Sequence, residues 1–224
     1  MSKERSSSLI FAIDDTSSMS DEIAQVKLRT IEIFNAVLES NSSLIGNFLL
    51  VTLNDPGVVL RTITTSEHEF RRALDAIVVD GGGDCPEMAL SGIELGIDSS
   101  NPESFLYVFT DASALDYTKY DIVSKKALMK GIEVTFLLTG NCGCESCPDY
   151  RVYNRLAAAT GGQVFHLDKS DVSEVLKYII DSIKSKNCLI DHILPKADGR
   201  VIMHQNGFDD TSDGVLFIEF DLVL

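Results

Sequence analysis

Short apolar runs alternate along this chain with longer amphipathic ones, and this alternation constrains the fold more than any other feature. Ser8 to Ile13, Phe48 to Leu53, Val58 to Ile63, Ser104 to Phe109, Val134 to Leu138 and Gln163 to Leu167 are of strand length and mostly apolar. Runs of that kind mark strands buried on both faces. Between them lie segments with helical periodicity: Ser20 to Glu39, Glu67 to Ile77, Pro86 to about Ile97, Tyr120 to Lys130, Tyr150 to Ala159 and Val172 to Ile183. Strands alternating with helices specify a parallel sheet covered on both sides. The expected fold is α/β, a doubly wound, mostly parallel six-stranded sheet.

One connection breaks the alternation. Asn54-Asp55-Pro56-Gly57 is a turn sequence, too short for a crossover helix. The strands on either side of it are therefore expected to be antiparallel neighbours, with Val58 to Ile63 at the sheet edge. Local signals place some helix ends. Ser20 is a candidate cap for the first helix, with Asp21 and Glu22 complementing its dipole. Pro86 suits the first turn of the third, and Gly161-Gly162 stops the fifth. Residues 1–7 read as a disordered tail and 8–186 as one domain. The pattern changes past Cys188, and 187–224 reads as the truncated start of a β-rich second module.

The 224 residues carry 34 Asp and Glu against 19 Lys and Arg, a formal charge of −15. That field repels phosphate backbones, which argues against nucleic-acid binding, and attracts cations. No apolar run reaches the roughly 20 residues that span a bilayer, so no membrane insertion is expected. No signal-peptide pattern follows the charged start, which implies a cytoplasmic protein if Met1 is its true N-terminus. Five cysteines point the other way, toward an oxidising compartment. Cys142, Cys144 and Cys147 crowd one loop, and Cys85 and Cys188 stand apart. The three could hold zinc with a fourth ligand, whereas in a secreted protein disulfides are the preferred reading. Asn41-Ser42-Ser43 is an N-glycosylation sequon of little weight alone.

Ligands of open parallel sheets bind beyond the carboxyl ends of the strands. Three such ends here carry oxygen ligands: Asp14-Asp15-Thr16-Ser17-Ser18, the glycine loop with Asp84 and Glu87, and Thr110-Asp111. Asp, Glu, Ser and Thr supply hard oxygens, which suit Mg²⁺, Mn²⁺ or Ca²⁺ rather than zinc. Asp14, Thr16 and Ser18 are spaced by two, so an extended loop can turn all three toward one point. Gly81-Gly82-Gly83 lets backbone approach that point closely.

These residues resemble the von Willebrand factor A domain family, a Rossmann-like fold, and within it the domain of hemicentin-type matrix proteins. The resemblance covers roughly Ser8 to Lys184. The family's Asp-x-Ser-x-Ser loop appears as Asp14-x-Thr16-x-Ser18, and its third-loop Asp as Asp111. The second loop departs: where most members have Thr, this chain has Gly82-Gly83-Asp84-Cys85-Pro86-Glu87, similar to hemicentins and to the Asp-x-Pro-Glu loop of integrin β subunits. The resemblance implies a metal site of Asp14, Thr16, Ser18, Glu87 and Asp111, with Asp84 the alternative to Glu87. It implies Mg²⁺ (or Ca²⁺ or Mn²⁺) as the cation. It implies a non-enzymatic, secreted, extracellular adhesion module, whose matrix or cell-surface partner completes the metal shell with an Asp or Glu. It also implies a Cys85–Cys142 disulfide, leaving Cys144 to close a small loop with Cys147 and Cys188 to the downstream module.

The enzymatic alternative is a Mg-dependent phosphatase or a receiver-type phosphotransfer domain using Asp14 or Asp15. A haloacid-dehalogenase-like phosphatase needs a second Asp two positions after the first, and Thr16 stands there instead. His68, His166, His192 and His204 are scattered, and none sits by a strand-end serine motif.

Overall fold

The structure is a computed structural model that describes residues 6–39, 45–82, 85–177 and 180. The strands are β1 (Ser7–Asp14), β2 (Ile45–Asn54), β3 (Gly57–Thr64), β4 (Phe105–Thr110), β5 (Glu133–Leu138) and β6 (Val164–His166). They form one six-stranded sheet in the order β3-β2-β1-β4-β5-β6. β3 runs antiparallel to β2, as its short turn requires, and every other pairing is parallel. The strand order reverses at β1, so the chain leaves β1 toward one edge and returns through β4 toward the other. The cleft between the ends of β1 and β4 is the switch point at which such sheets bind ligands.

The helices are α1 (Ser20–Glu39), α2 (Glu67–Asp75), α3 (Ala89–Ser99), α4 (Tyr120–Lys130) and α5 (Pro148–Thr160), with residues 172–177 also helical. Side chains alternate across β1. Ile10 and Ala12 join a core with α3, α4 and α5. Leu9, Phe11 and Ile13 join the opposite core with α1, α2, Val172, Leu176 and Ile180. This division is why β1 is buried along its whole length and reads as a continuous apolar run.

Several boundaries differ from the sequence reading, each for a local reason. β1 begins at Ser7, inside the expected tail, and is held there by strand pairing to β2. A 3₁₀ turn, Ser17–Met19, precedes α1, and Ser20 already has helical angles, φ −57° and ψ −39°. Ser20 is therefore the first helical residue rather than the cap. Pro86 does not open α3, because Glu87 pairs in a parallel bridge with Ala114 and delays the helix to Ala89. The expected second module at 187–224, Asp84, Cys188 and the Asn41 sequon lie outside the described residues.

Phe11 stands at the centre of the second core, with its ring centroid 5.6 Å from Phe70, 6.0 Å from Phe109 and 6.2 Å from Tyr107. Phe11→Ala is expected to cost about 3–5 kcal/mol of stability. Leu128→Ala, on the exposed side of α4 at 58% exposure, is expected to stay within about 0.5 kcal/mol. Urea unfolding of the two variants measures the contrast.

Candidate metal centre

Asp14 ends β1 and Thr110 ends the adjacent β4, and the preceding residues, Ile13 and Phe109, are register partners. The register sets the two side chains next to each other. The Thr110 hydroxyl donates to Asp14 Oδ2 at 2.7 Å. Asp14 Oδ1 accepts from the Thr16 backbone N–H at 2.9 Å and from the Thr16 hydroxyl at 2.6 Å. Asp14 has no exposed surface. Burial pushes its carboxyl up to about 6, against hydrogen bonds from Thr16 and Thr110 that pull it down, while the Asp111 charge adds to the rise.

From Asp14 the polar contacts run outward toward solvent. Thr16 Oγ1 lies 3.2 Å from Ser18 Oγ, and the Ser18 hydroxyl donates to Asp111 Oδ1 at 3.0 Å. Thr16, Ser18 and Asp111 line an open cavity of about 350 Å³ together with Glu87, Gly82, Cys85 and Ala112. Glu87 is buried, at 2% exposure. Its backbone N–H bonds Ser113 O and its carbonyl accepts from Leu115 N–H, which fixes it beside the Asp111 loop. The glycine loop supplies the close approach expected of it. Gly81 and Gly82 have φ of +80° and +86°, a region that favours glycine.

The expected ligands Asp14, Thr16, Ser18, Glu87 and Asp111 thus gather at one edge of the sheet. Asp14 lies beneath the cavity, and the other four line it. Among the described residues no three His, Cys, Asp or Glu side chains form a cluster able to hold a metal. The oxygens that touch one another are those of Asp14, two hydroxyls and Asp111. This donor set contains only hard oxygens. Octahedral Mg²⁺ with bonds of about 2.1 Å has edges of about 3.0 Å between neighbouring ligands. The Thr16–Ser18 and Ser18–Asp111 spacings, 3.2 and 3.0 Å, are close to that edge. The Asp14–Thr16 contact, at 2.6 Å, is shorter, and the donor chemistry, all hard oxygen, is of the kind a small divalent cation takes.

Asp15 belongs elsewhere. It pairs with Arg61 of β3 at 3.0 Å and accepts from the Asn54 side chain, also at 3.0 Å. Two residues escaped the sequence reading. Lys169, just past β6, bonds Asp111 Oδ2 at 2.9 Å and Ser18 O at 2.6 Å, and pairs with Glu22 Oε1 at 3.1 Å. Burial works against its charge, but the bonds to Asp111 and Glu22 prevail and hold its pKa above the usual lysine value. Glu22, read in the sequence only as a first-turn acid complementing the helix dipole, is 1% exposed and accepts from Thr139 at 2.7 Å. No spacing motif marks either residue. Gly140 also carries a constraint, since a Cβ there would collide with the Asp111 carbonyl.

Four of the five cysteines are paired in two disulfides. Cys85–Cys142 joins the glycine loop to the segment after β5, with Cα atoms 5.5 Å apart. Cys144–Cys147 closes a local loop before α5. The sulfurs are therefore not thiolates available to zinc.

Comparison with known proteins agrees with the fold. A family model described as the von Willebrand factor A domain matches residues 8–169. Hemicentin-2 of Mus musculus is 41% identical over 177 residues, covering 79% of this chain and 4% of that protein. Hemicentin-1 of Homo sapiens is 40% identical over 182 residues, covering 81% and 3%. The chain thus spans a small fraction of these relatives. Among solved structures, proximal thread matrix protein 1 from the mussel byssus, with a zinc-occupied MIDAS motif, superposes with a TM-score of 0.52. It is 15% identical, and the match covers 80% of this chain and 48% of that one. The chain belongs to the von Willebrand factor A domain family.

Proposed function

We propose that this chain carries a metal-dependent protein-binding module of a secreted adhesion protein of the extracellular matrix, with the A domain at 8–186 and a β-rich second module from 187. The observation that carries this reading is the continuous run of polar contacts from buried Asp14 through Thr16 and Ser18 to Asp111, at the mouth of a cavity also lined by Glu87. In this reading Asp14, Thr16, Ser18, Glu87 and Asp111 hold Mg²⁺, with Mn²⁺ and Ca²⁺ as alternatives. The bound ion supplies a Lewis-acidic position that a partner's Asp or Glu can occupy. The protein's own part is to hold the hydroxyls and carboxylates in place and to leave the cavity open for that carboxylate. Three carboxylates partly neutralise the ion, so the site should retain metal well and attract the partner's carboxylate moderately.

Support for the compartment comes from the likeness to hemicentins and from two disulfides, which persist in oxidising surroundings. No helix among the described residues is long and apolar enough to cross a membrane. The phosphotransfer alternative needs an accessible aspartate. Asp14 is fully buried with both oxygens hydrogen-bonded, and Asp15 is paired to Arg61.

Thermal unfolding in EDTA, repeated with Mg²⁺, Mn²⁺ or Ca²⁺, tests the metal. The expected gain is about 2.7 kcal/mol at a hundredfold excess of ion over the dissociation constant. No shift and no heat of binding with any ion at millimolar concentration would overturn the reading. Asp14→Asn keeps the shape but removes the charge, and is expected to abolish both the shift and partner binding.

A second expectation follows from the Asp14 carboxyl. Its pKa in the folded domain, about 6, lies above its ordinary value of 3.8. The metal-free folded state therefore binds the proton more tightly than the unfolded chain does. That stabilisation is complete below pH 4 and lost as pH rises through 6, a change of about 3 kcal/mol. In EDTA the wild type is expected to gain stability from pH 7 to pH 5. Asp14→Asn, or saturating metal, should flatten that slope in the same melts.

A further inference from the structure

Lys169 is built into the site more firmly than a surface lysine requires. An ammonium group has three donors, and here three acceptors surround it: Asp111 Oδ2, Glu22 Oε1 and Ser18 O. They come from three segments, the loop after β4, the first turn of α1 and the turn after β1. The lysine itself arrives from beyond β6, at the far edge of the sheet. Its backbone is clamped as well. The Gln25 side chain donates to Lys169 O at 2.5 Å and accepts from Ser173 N–H at 2.8 Å.

The charges around it are unusual. Glu22 is buried, and its Oε2 has no hydrogen-bond partner among the described residues. Asp111 divides its two oxygens, one taking the Ser18 hydroxyl in the cavity and the other the lysine. A carboxylate neutralised on one oxygen presents less negative charge on the other. A fixed positive charge one carboxylate away also repels any cation in the cavity.

We propose that Lys169 is a fixed counter-cation of the metal centre, a positioning residue that orients Asp111 and limits how tightly the site holds its divalent ion. The proposal rests on the metal reading above and adds the element that sets its affinity. With Lys169 in place, the metal-free site is tolerable because Glu22 and Asp111 share one positive charge. Without it, buried Glu22 and half-buried Asp111 lose the cation they share and keep only the hydroxyl donors Thr139 and Ser18, and an incoming cation relieves them.

A purely structural ion pair predicts a different outcome. Losing such a pair would lower stability and leave metal affinity unchanged or weaker. Removing a counter-cation lowers metal-free stability but tightens metal binding. The test is isothermal titration of the whole chain with Mg²⁺ and Mn²⁺, alongside melts in EDTA, for wild type, Lys169→Met, Lys169→Gln and Lys169→Arg. Met keeps the aliphatic stem, Gln keeps a donor without charge, and Arg keeps the charge. Met and Gln are expected to melt lower than wild type in EDTA yet bind both ions about tenfold more tightly. Arg is expected to stay within about threefold of wild type. If wild type binds metal and the Met and Gln variants bind it equally or more weakly, Lys169 is only a structural tie. If wild type binds no metal, the metal reading fails and this inference fails with it.

Discussion

A carboxylate with no exposed surface, at the end of the central strand, organises this edge of the domain. Asp14 must have its oxygens satisfied by protein, because an unpaired buried charge is costly. Thr110 from the neighbouring parallel strand takes one oxygen, and Thr16 takes the other twice. Those bonds require β1 and β4 to be adjacent and in register, and they turn the segment after β1 back over the strand ends. Ser18 and Asp111 meet as a consequence. The price is a carboxyl that favours its proton in the folded state. A divalent cation at the site would lift that penalty.

The second loop reaches the site by a different route. Nothing in its own sequence would hold a stretch containing Gly82 and Pro86 in one place. Two tertiary links do so: the Cys85–Cys142 disulfide and the backbone bridge between Glu87 and Ala114. The bridge also explains why α3 starts late, since a residue whose N–H and C=O are bonded to residues 113 and 115 cannot take its place in a helical turn. The loop's geometry therefore depends on an oxidising compartment, and the same covalent link that fixes Glu87 ties the site to the surroundings in which the protein is proposed to work.

Much of this was legible in the residues. The apolar runs identified every strand of the sheet: the inner strands because a strand buried on both faces must be apolar throughout, and the part-exposed edge strands β3 and β6 by their β-branched and aromatic residues. The four-residue turn before β3 identified the antiparallel edge, because no helix fits in it. Asp14, Thr16 and Ser18 were legible because one loop carries them at regular spacing, and Asp111 because it ends an apolar strand. The helix starts were less legible. Ser20 and Pro86 carry ordinary capping signals; Ser20 was overridden by the local 3₁₀ turn before it, and Pro86 by the Glu87–Ala114 bridge, which local sequence does not encode.

What the sequence determined by itself was the set of elements, their alternation and the hard-oxygen character of the strand ends, since these follow from local periodicity and side-chain chemistry. What only the tertiary structure decided was which polar groups share charge. Asp14 and Asp15 are neighbours in the chain, yet one is hydrogen-bonded inside the site and the other is paired with Arg61 on β3. Glu22 reads as a helix-start acid that complements the dipole of α1 but is buried against Lys169. Lys169 lies 58 residues from Asp111 and 151 from Ser18 along the chain. Such pairings arise only when the sheet brings the ends of β1, β4 and β6 to one edge, because charge acts through space and not along the sequence.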